Sequence, residues 1–140
     1  MNIDIIPRRP RRPEAEPPRI LIVDDATVVR LYYRHLLESE GYRVDEAING
    51  IEGLEKAFSR VFDLCIVDVN MPMMDGHAFL TALRREPLTH ALPALVTTTE
   101  ARPEDRAAAM AAGANGFLVK PVPGDLFALH VAALLGRTPR

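Results

Sequence analysis

The chain has 140 residues, a formal net charge of −2 and 48% apolar residues, which is typical of one globular domain. It contains no apolar run near the roughly 18 residues that a membrane-spanning helix needs, and its Pro- and Arg-rich N-terminus is unlike a secretory signal. A single cysteine, Cys65, excludes an internal disulfide, and the four histidines show no zinc-ligand spacing. We therefore expect a cytoplasmic domain without a membrane span, a structural zinc or a disulfide.

The first 19 residues differ in composition from the rest of the chain. They hold five arginines and five of the twelve prolines and carry a net charge of +2, whereas residues 20–140 carry −4. Such a stretch favours neither a helix nor a sheet, so we expect residues 1–19 to form an extended arm. A solvated tail is one interpretation of this arm, and a docking segment for an acidic partner is the other. The acidic remainder argues against nucleic acid as a partner.

From residue 20 onward, short apolar segments alternate with longer amphipathic ones. Continuous apolar runs indicate strands that are buried on both faces, and apolar residues spaced three and four apart indicate helices. In chain order the pattern predicts a strand at 20–23, a helix at 27–39, a strand at 42–47, a helix at 51–58, a strand at 64–69, a helix at 78–85, a strand at 94–97, a helix at 104–112, a strand at 116–119 and a helix at 125–135. Gly41 follows the first of these helices, where a left-handed C-cap is common, and Gly113 ends the fourth. The alternation predicts a three-layer, doubly wound α/β fold with a parallel sheet.

Polar side chains follow four of the predicted strands. Asp24 and Asp25 come after the first strand, Asp68 lies near the end of the third, three threonines at 97–99 close the fourth, and Lys120 follows the fifth. Ligands of doubly wound sheets bind beyond the carboxyl ends of the strands, so these groups are expected to converge there. Clustered carboxylates repel one another unless a cation neutralises them, and oxygen ligands suit Mg²⁺. The pattern therefore predicts a magnesium site of the kind that supports phosphoryl transfer, with an aspartate as the nucleophile.

Each of these residues also has a purely structural interpretation. An aspartate pair after a strand is often a helix N-cap, Asp68 could open a turn, and a lysine before proline is commonly a solvated cation. Only Lys56 and Lys120 of the 17 basic residues are lysines, which favours a particular role for Lys120, because a solvated cation here would more often be arginine. Because the aspartates, the threonines and the lysine occur together at the ends of strands of one sheet, a functional site is favoured over separate structural roles.

The chain resembles the receiver domain of bacterial two-component response regulators, in particular the single-domain chemotaxis type. The matching segments are ILIVDD (20–25), IVDVNMP (66–72), DG (75–76), VTT (96–98), GA (113–114) and VKP (119–121). The resemblance implies a flavodoxin-like fold with strand order 2-1-3-4-5. It also implies a receiver domain over 20–136 followed by a short tail, 137–140.

The resemblance assigns roles at the site. Asp68 would be the phosphoacceptor and a metal ligand, and Asp25 would bind Mg²⁺ directly. Asp24 would act on the metal through water, Asn70 would offer its backbone carbonyl, and Lys120 would bind the phosphoryl group.

The resemblance also implies a switch. Thr98 would be the switch hydroxyl, which the family spacing from Asp68 selects among the three threonines, and Phe117 would be the aromatic partner that changes rotamer. Thr99 stands where many relatives have alanine or glycine beside the phosphoryl site, a departure that narrows the approach to it.

By the same resemblance the protein would be a phosphoacceptor signalling domain rather than an enzyme. A sensor histidine kinase or a histidine phosphotransfer protein would phosphorylate it, and a downstream protein would bind the last two helices and strand five. The nearly apolar segment 107–112 supports an interface there. The family also allows homodimer formation on phosphorylation. Because only five residues of this sequence follow Leu135, we expect no effector domain there and an output through protein–protein contact.

Three alternatives stay open at this point. A phosphotransferase of the haloacid-dehalogenase type also uses a strand-end aspartate, but it needs a second aspartate where this chain has Asn70. A pseudo-receiver would bind partners without phosphorylation. A receiver excised from a hybrid kinase would share every motif.

Overall fold

The computed structural model describes residues 16–137, which form alternating strands and helices. The strands are β1 (Arg19–Val23), β2 (Arg43–Ala47), β3 (Leu64–Asp68), β4 (Ala94–Thr98) and β5 (Gly116–Val119). The helices are α1 (Thr27–Ser39), α2 (Gly50–Ser59), α3 (Gly76–Arg85), α4 (Pro103–Ala112) and α5 (Gly124–Leu134). Each segment predicted from periodicity is present, with ends that shift by one or two residues.

The five strands form one parallel sheet in the order β2-β1-β3-β4-β5. This order confirms the predicted doubly wound, flavodoxin-like α/β fold. It places β1 and β3 side by side at the centre, with Val23 opposite Val67, so the residues that follow both strands emerge together. Asp68 pairs in register with Thr97 on β4, which brings the fourth strand to the same edge.

Two apolar cores cover the two faces of the sheet. Because side chains alternate along a strand, Leu21 and Val23 of β1 enter one core while Ile20 and Ile22 enter the other. The first core is closed by α2, α3 and α4, and the second by α1 and α5. Burial on both faces explains the continuous apolar runs in the strands, and it confirms the three-layer arrangement.

Two element ends differ from the prediction for clear physical reasons. Strand β1 begins at Arg19, one residue inside the segment assigned to the arm, because the Arg19 N–H donates to Asp63 Oδ2 (2.8 Å) and its guanidinium bonds Asp45 Oδ1 (2.9 Å). Helix α3 begins at Gly76, because the Asp75 side chain caps it by accepting the Ala78 N–H at 2.8 Å.

Other expectations concern the turns and the chain ends. Gly41 has a φ of 87°, which confirms the left-handed position expected after α1. Gly113, the residue expected to end α4, also has a positive φ, 118°. Residues 1–15 and 138–140 lie outside the described residues, so the extended arm and the end of the tail stay predictions. Within residues 16–137, no helix combines the length and the apolarity that crossing a bilayer requires.

Candidate functional site at the carboxyl edge of the sheet

The carboxyl ends of β1, β3 and β5 bring two aspartates and a lysine into contact. The Lys120 ammonium lies 2.8 Å from Asp24 Oδ2 and 3.3 Å from Asp68 Oδ1. Asp24 and Asp68 are both buried, and the Lys120 side chain is only 14% exposed. Residues that are 96 and 52 positions from Lys120 in sequence are thus joined by one cation.

The three charges determine one another's proton affinities. Burial by itself would lower the pKa of Lys120, but the hydrogen bond that its ammonium donates to Asp24 and the negative charges of Asp24 and Asp68 outweigh it, so its pKa is raised. For Asp68, burial raises the pKa, the Lys120 charge opposes this, and the nearby Asp24 and Asp25 add to the rise. The net direction is upward, so the Asp68 carboxylate is held in a place that disfavours its negative charge.

Three carboxylates at this edge have the arrangement that a divalent cation needs. Oxygen atoms of Asp24, Asp25 and Asp68 lie within 4.8 Å of one another. Asp24 is held in place because its Oδ1 accepts the Ala26 N–H at 2.9 Å, whereas Asp25 is exposed. A set of carboxylate oxygens that opens to solvent on one side fits Mg²⁺, which keeps several waters. The excess negative charge of the cluster therefore supports a cation site.

The helix N-cap interpretation of the aspartate pair does not hold. The N-cap residue of α1 is Ala26, and no side chain caps it. Asp24 instead bonds Ala26 in the turn before the helix and pairs with Lys120. The solvated-cation interpretation of Lys120 fails as well, because its ammonium contacts two buried carboxylates.

Thr98 and Asn70 lie beside this cluster and share one partner. The buried Thr98 hydroxyl accepts the Glu100 N–H at 3.1 Å, and the Asn70 side-chain amide donates to Glu100 Oε1 at 3.1 Å. The side chain of Asn70 is thereby engaged in a contact between the loops that follow β3 and β4. The role expected for Asn70 is that its backbone carbonyl binds the metal, and the contact with Glu100 involves only the side chain.

Phe117 belongs to the core that α2, α3 and α4 cover, and its side chain is 8% exposed. It pairs in register with Val96, two residues before Thr98, and Val96 lies in the same core. Since alternate residues of a strand share a face, Thr98 and Phe117 lie on the same side of the sheet. The structure therefore brings the two residues expected to form the switch onto neighbouring strands, β4 and β5, on the same face of the sheet.

Sequence reasoning missed two residues of this region. Glu100 joins Thr98 to Asn70, but a glutamate in a polar loop has no pattern that would mark it. Tyr33 is buried in α1, where it stacks on Phe127 with ring centroids 4.6 Å apart. Burial raises the pKa of Tyr33, and the Thr97 hydroxyl and the Lys120 charge oppose that rise, so its hydroxyl belongs to the electrostatic surroundings of the site.

Cys65 takes no part in the site. It is fully buried within β3, and burial raises the pKa of its thiol to about 12. The thiol is therefore protonated at neutral pH and packs as a small apolar side chain.

The strand order 2-1-3-4-5 defines a flavodoxin-like domain, and its carboxyl edge carries an acidic cluster with a lysine. The family model for the response regulator receiver domain matches residues 20–132, and the chain belongs to that family, the receivers of two-component signalling. This match replaces the haloacid-dehalogenase alternative, which already fails at Asn70.

Individual relatives agree with this family. Transcriptional regulatory protein PrrA of Mycobacterium leprae is 37% identical over 120 residues, which are 86% of this chain and 51% of that protein. The chain thus spans about half the length of this curated relative. The structure of chemotaxis protein CheY4 of Vibrio cholerae has a TM-score of 0.81 and 37% identity and covers 84% of this chain and 98% of its own.

A third relative bears on the metal. The receiver domain of sensor histidine kinase PA1611 from Pseudomonas aeruginosa is 27% identical, with a TM-score of 0.81 over 86% of this chain and 98% of its own. That structure has a magnesium ion coordinated in its active-site cleft.

Proposed function

We propose that this protein is a response regulator in which phosphorylation of Asp68 switches a protein-binding surface. The observation that carries the proposal is the Lys120 ammonium, which lies between Asp24 and Asp68 at the carboxyl edge of the sheet. A buried carboxylate whose charge is disfavoured, next to a cation and further carboxylates, is suited to accept a phosphoryl group. The family match supports this use of the edge.

The phosphoryl donor is a phosphohistidine of a sensor histidine kinase or of a histidine phosphotransfer protein. The bond between phosphorus and the histidine nitrogen breaks while a bond forms to a carboxylate oxygen of Asp68. The electron pair of the broken bond stays on the histidine nitrogen, which takes up a proton. The product is an acyl phosphate on Asp68.

The protein's own groups stabilise the charge that this transfer brings in. Asp24, Asp25, Asp68 and the Asn70 carbonyl would hold Mg²⁺, which neutralises negative charge on the phosphoryl oxygens when it is bound. Lys120 already contacts Asp68 Oδ1, so its ammonium can pair with a phosphoryl oxygen there. Water that enters the site hydrolyses the acyl phosphate. Thr99 is exposed directly after β4, where its side chain narrows the path by which water reaches Asp68.

The new charge then changes the surface. The Thr98 hydroxyl leaves the Glu100 N–H to donate to the phosphoryl group, and Phe117 occupies the space beside β4. These two movements shift the population between two pre-existing states rather than create a new one. The output surface comprises α4, β5 and α5, where Met110, Val119 and Leu129 are exposed apolar side chains.

The finer features of the proposal concern its setting. The protein is a cytoplasmic regulator whose receiver domain spans 20–136, and it acts by contact with a downstream target protein. It is not an enzyme with a separate substrate, although it assists its own phosphorylation and dephosphorylation. A homodimer formed on phosphorylation would use the same surface of α4, β5 and α5.

Intact-mass analysis after incubation with acetyl phosphate and Mg²⁺ tests the proposal. We expect the native protein to gain the mass of one phosphoryl group and Asp68→Asn to gain nothing. Asp125→Asn, which changes an exposed carboxylate outside the cluster, should gain the same mass as the native protein. A mass gain that persists in Asp68→Asn would contradict the assignment of the acceptor. The absence of any gain in the native protein would favour the pseudo-receiver alternative.

A further inference from the structure

Arg106 of α4 lies over the aromatic ring of Phe117, the β5 residue that is expected to take part in the switch. The Arg106 guanidinium carbon lies 5.8 Å from the centroid of the Phe117 ring. The ring itself is 8% exposed, so the exposed arginine covers its outer side. A guanidinium within about 6 Å of a ring centroid is attracted to the negative face of the ring.

The Phe117 ring is the side chain that the Arg106 guanidinium contacts. Among residues 16–137, Arg106 forms no ion pair and no side-chain hydrogen bond. The neighbouring carboxylate, Asp105, is already held by Arg102, which bonds it through Nε at 2.9 Å and through a terminal nitrogen at 3.0 Å. Two arginines one turn apart therefore have different partners: Arg102, the N-cap residue of α4, bonds a carboxylate, and Arg106, within the helix, contacts an aromatic ring.

We propose that Arg106 is a positioning residue that holds Phe117 in its buried orientation and thereby tunes the phosphorylation switch. This inference rests on the function proposed above. A ring that turned out toward solvent would leave its position beneath the guanidinium and lose the attraction. Arg106 therefore favours the buried orientation even when Asp68 carries no phosphoryl group.

The strength of the cation–π contact determines how far Arg106 shifts the equilibrium between the buried and the solvent-facing orientation of Phe117. A cation–π contact at an exposed site shifts an equilibrium by roughly two- to fivefold. Because the phosphoryl group and the buried ring favour the same state, Arg106 contributes to the affinity for the phosphoryl group through linkage. Removal of the cation should weaken that affinity by the same factor at most.

Fluorine NMR on the full-length protein labelled with 4-fluorophenylalanine measures both effects. The chain has five phenylalanines, so the spectrum is simple, and Phe117→Leu identifies the resonance of Phe117. Beryllofluoride with Mg²⁺ serves as the probe for the phosphoryl group, and its midpoint is titrated in each variant. The variants are Arg106→Gln, Arg106→Lys and the matched control Arg102→Gln on the same helix.

We expect Arg106→Gln to move the resting Phe117 resonance away from its value in the beryllofluoride complex and to raise the midpoint by roughly two- to fivefold. Arg106→Lys, which keeps a cation, should restore part of both effects. Arg102→Gln should change neither, although it removes a cation from the same helix. A general loss of α4 packing would instead lower the melting temperature and would not be rescued by lysine.

Three results would overturn the inference, and they differ in what else they affect. An unchanged midpoint and resonance in Arg106→Gln would show that the arginine does not hold the ring, while the switch itself would stand. A lower midpoint would show that Arg106 holds the resting state instead. If beryllofluoride leaves the Phe117 resonance of the unsubstituted protein unchanged, the proposed switch fails, and the role of Arg106 fails with it.

Discussion

The carboxylate of Asp68 lies in surroundings that disfavour its negative charge and therefore opposes folding at neutral pH. It ends β3 inside the protein, where burial raises its pKa more than the Lys120 charge lowers it. The folded state therefore binds a proton at Asp68 more tightly than the unfolded state does. By linkage, this carboxylate decreases the stability of the fold as the pH rises through its raised pKa.

We expect Asp68→Asn to stabilise the folded protein at pH 7 in the absence of divalent cations. The amide is similar in size but carries no charge, so the variant avoids the cost of ionising a buried group. The gain should be a few degrees in melting temperature, at roughly 4 °C per kcal/mol for a domain of this size. It should decrease as the pH falls toward the pKa of an unfolded aspartate, about 4, where the native carboxyl is protonated as well.

Thermal unfolding from pH 4 to pH 8 in the presence of a chelator measures this difference. Asp125→Asn, on the surface of α5, controls for the general loss of one negative charge. A lower melting temperature for Asp68→Asn at pH 7 would show that the pair with Lys120 outweighs burial, which is contrary to the raised pKa.

At the scale of elements, the start of α3 is pressed onto the end of β3. The Gly76 N–H donates to the Val69 carbonyl at 2.8 Å. A Cβ atom at Gly76 would lie 2.4 Å from the Asp68 carbonyl oxygen and 2.9 Å from Val69 Cα. Both are backbone atoms, so a side chain could fit only if the helix moved away from β3, the strand that carries the proposed phosphoacceptor.

We expect Gly76→Ala to destabilise the fold by about 1–3 kcal/mol, the usual cost of overpacking a close contact. Gly124→Ala is a matched control, because Gly124 is also the first residue of a helix. A Cβ there would meet Leu36 Cδ2 at 3.2 Å, the end of a side chain that can turn aside. Urea unfolding of both variants gives the comparison, and equal changes in the two midpoints would rule out the steric argument.

At the scale of the whole molecule, the residues of the site come from strands that are far apart in the sequence. Unfolding disperses Asp24, Asp25 and Asp68, so a cation bound by all three stabilises the entire domain. We expect Mg²⁺ at ten times its Kd to add about 1.4 kcal/mol to the free energy of unfolding. Asp25→Ala should lose most of this gain, while its melting temperature without Mg²⁺ stays equal or rises because one repelling charge is gone.

Melts with and without Mg²⁺ test this linkage, with Asp125→Ala as the control for charge. An increase with Mg²⁺ that is as large in Asp25→Ala as in the native protein would mean that Asp25 is not a ligand.

The helix that contains Arg84 shows where sequence-based prediction stops. Nothing in the pattern of 78–85 distinguishes Arg84 from Arg85, yet Arg84 donates to the Gly113 carbonyl through two nitrogens, at 2.7 and 3.1 Å. It also donates to the Thr89 carbonyl at 3.2 Å and thereby joins the loop that precedes β4 to the loop that precedes β5, at the amino edge of the sheet. Such contacts depend on which loops come close in space and on the conformation of a long side chain, neither of which periodicity records.

The sequence by itself determined the alternation of strands and helices and the polar residues at the strand ends. Burial on both faces leaves continuous apolar runs, and parallel connections bring all carboxyl ends to one edge, so Asp24, Asp68 and Lys120 could be placed together without coordinates. Only the tertiary structure decided how these groups pair, that Glu100 joins Thr98 to Asn70, and that Arg106 lies over Phe117. Those contacts join side chains from separate elements within a few ångströms, and side-chain direction at that scale is decided by packing rather than by the spacing of residue types along the chain.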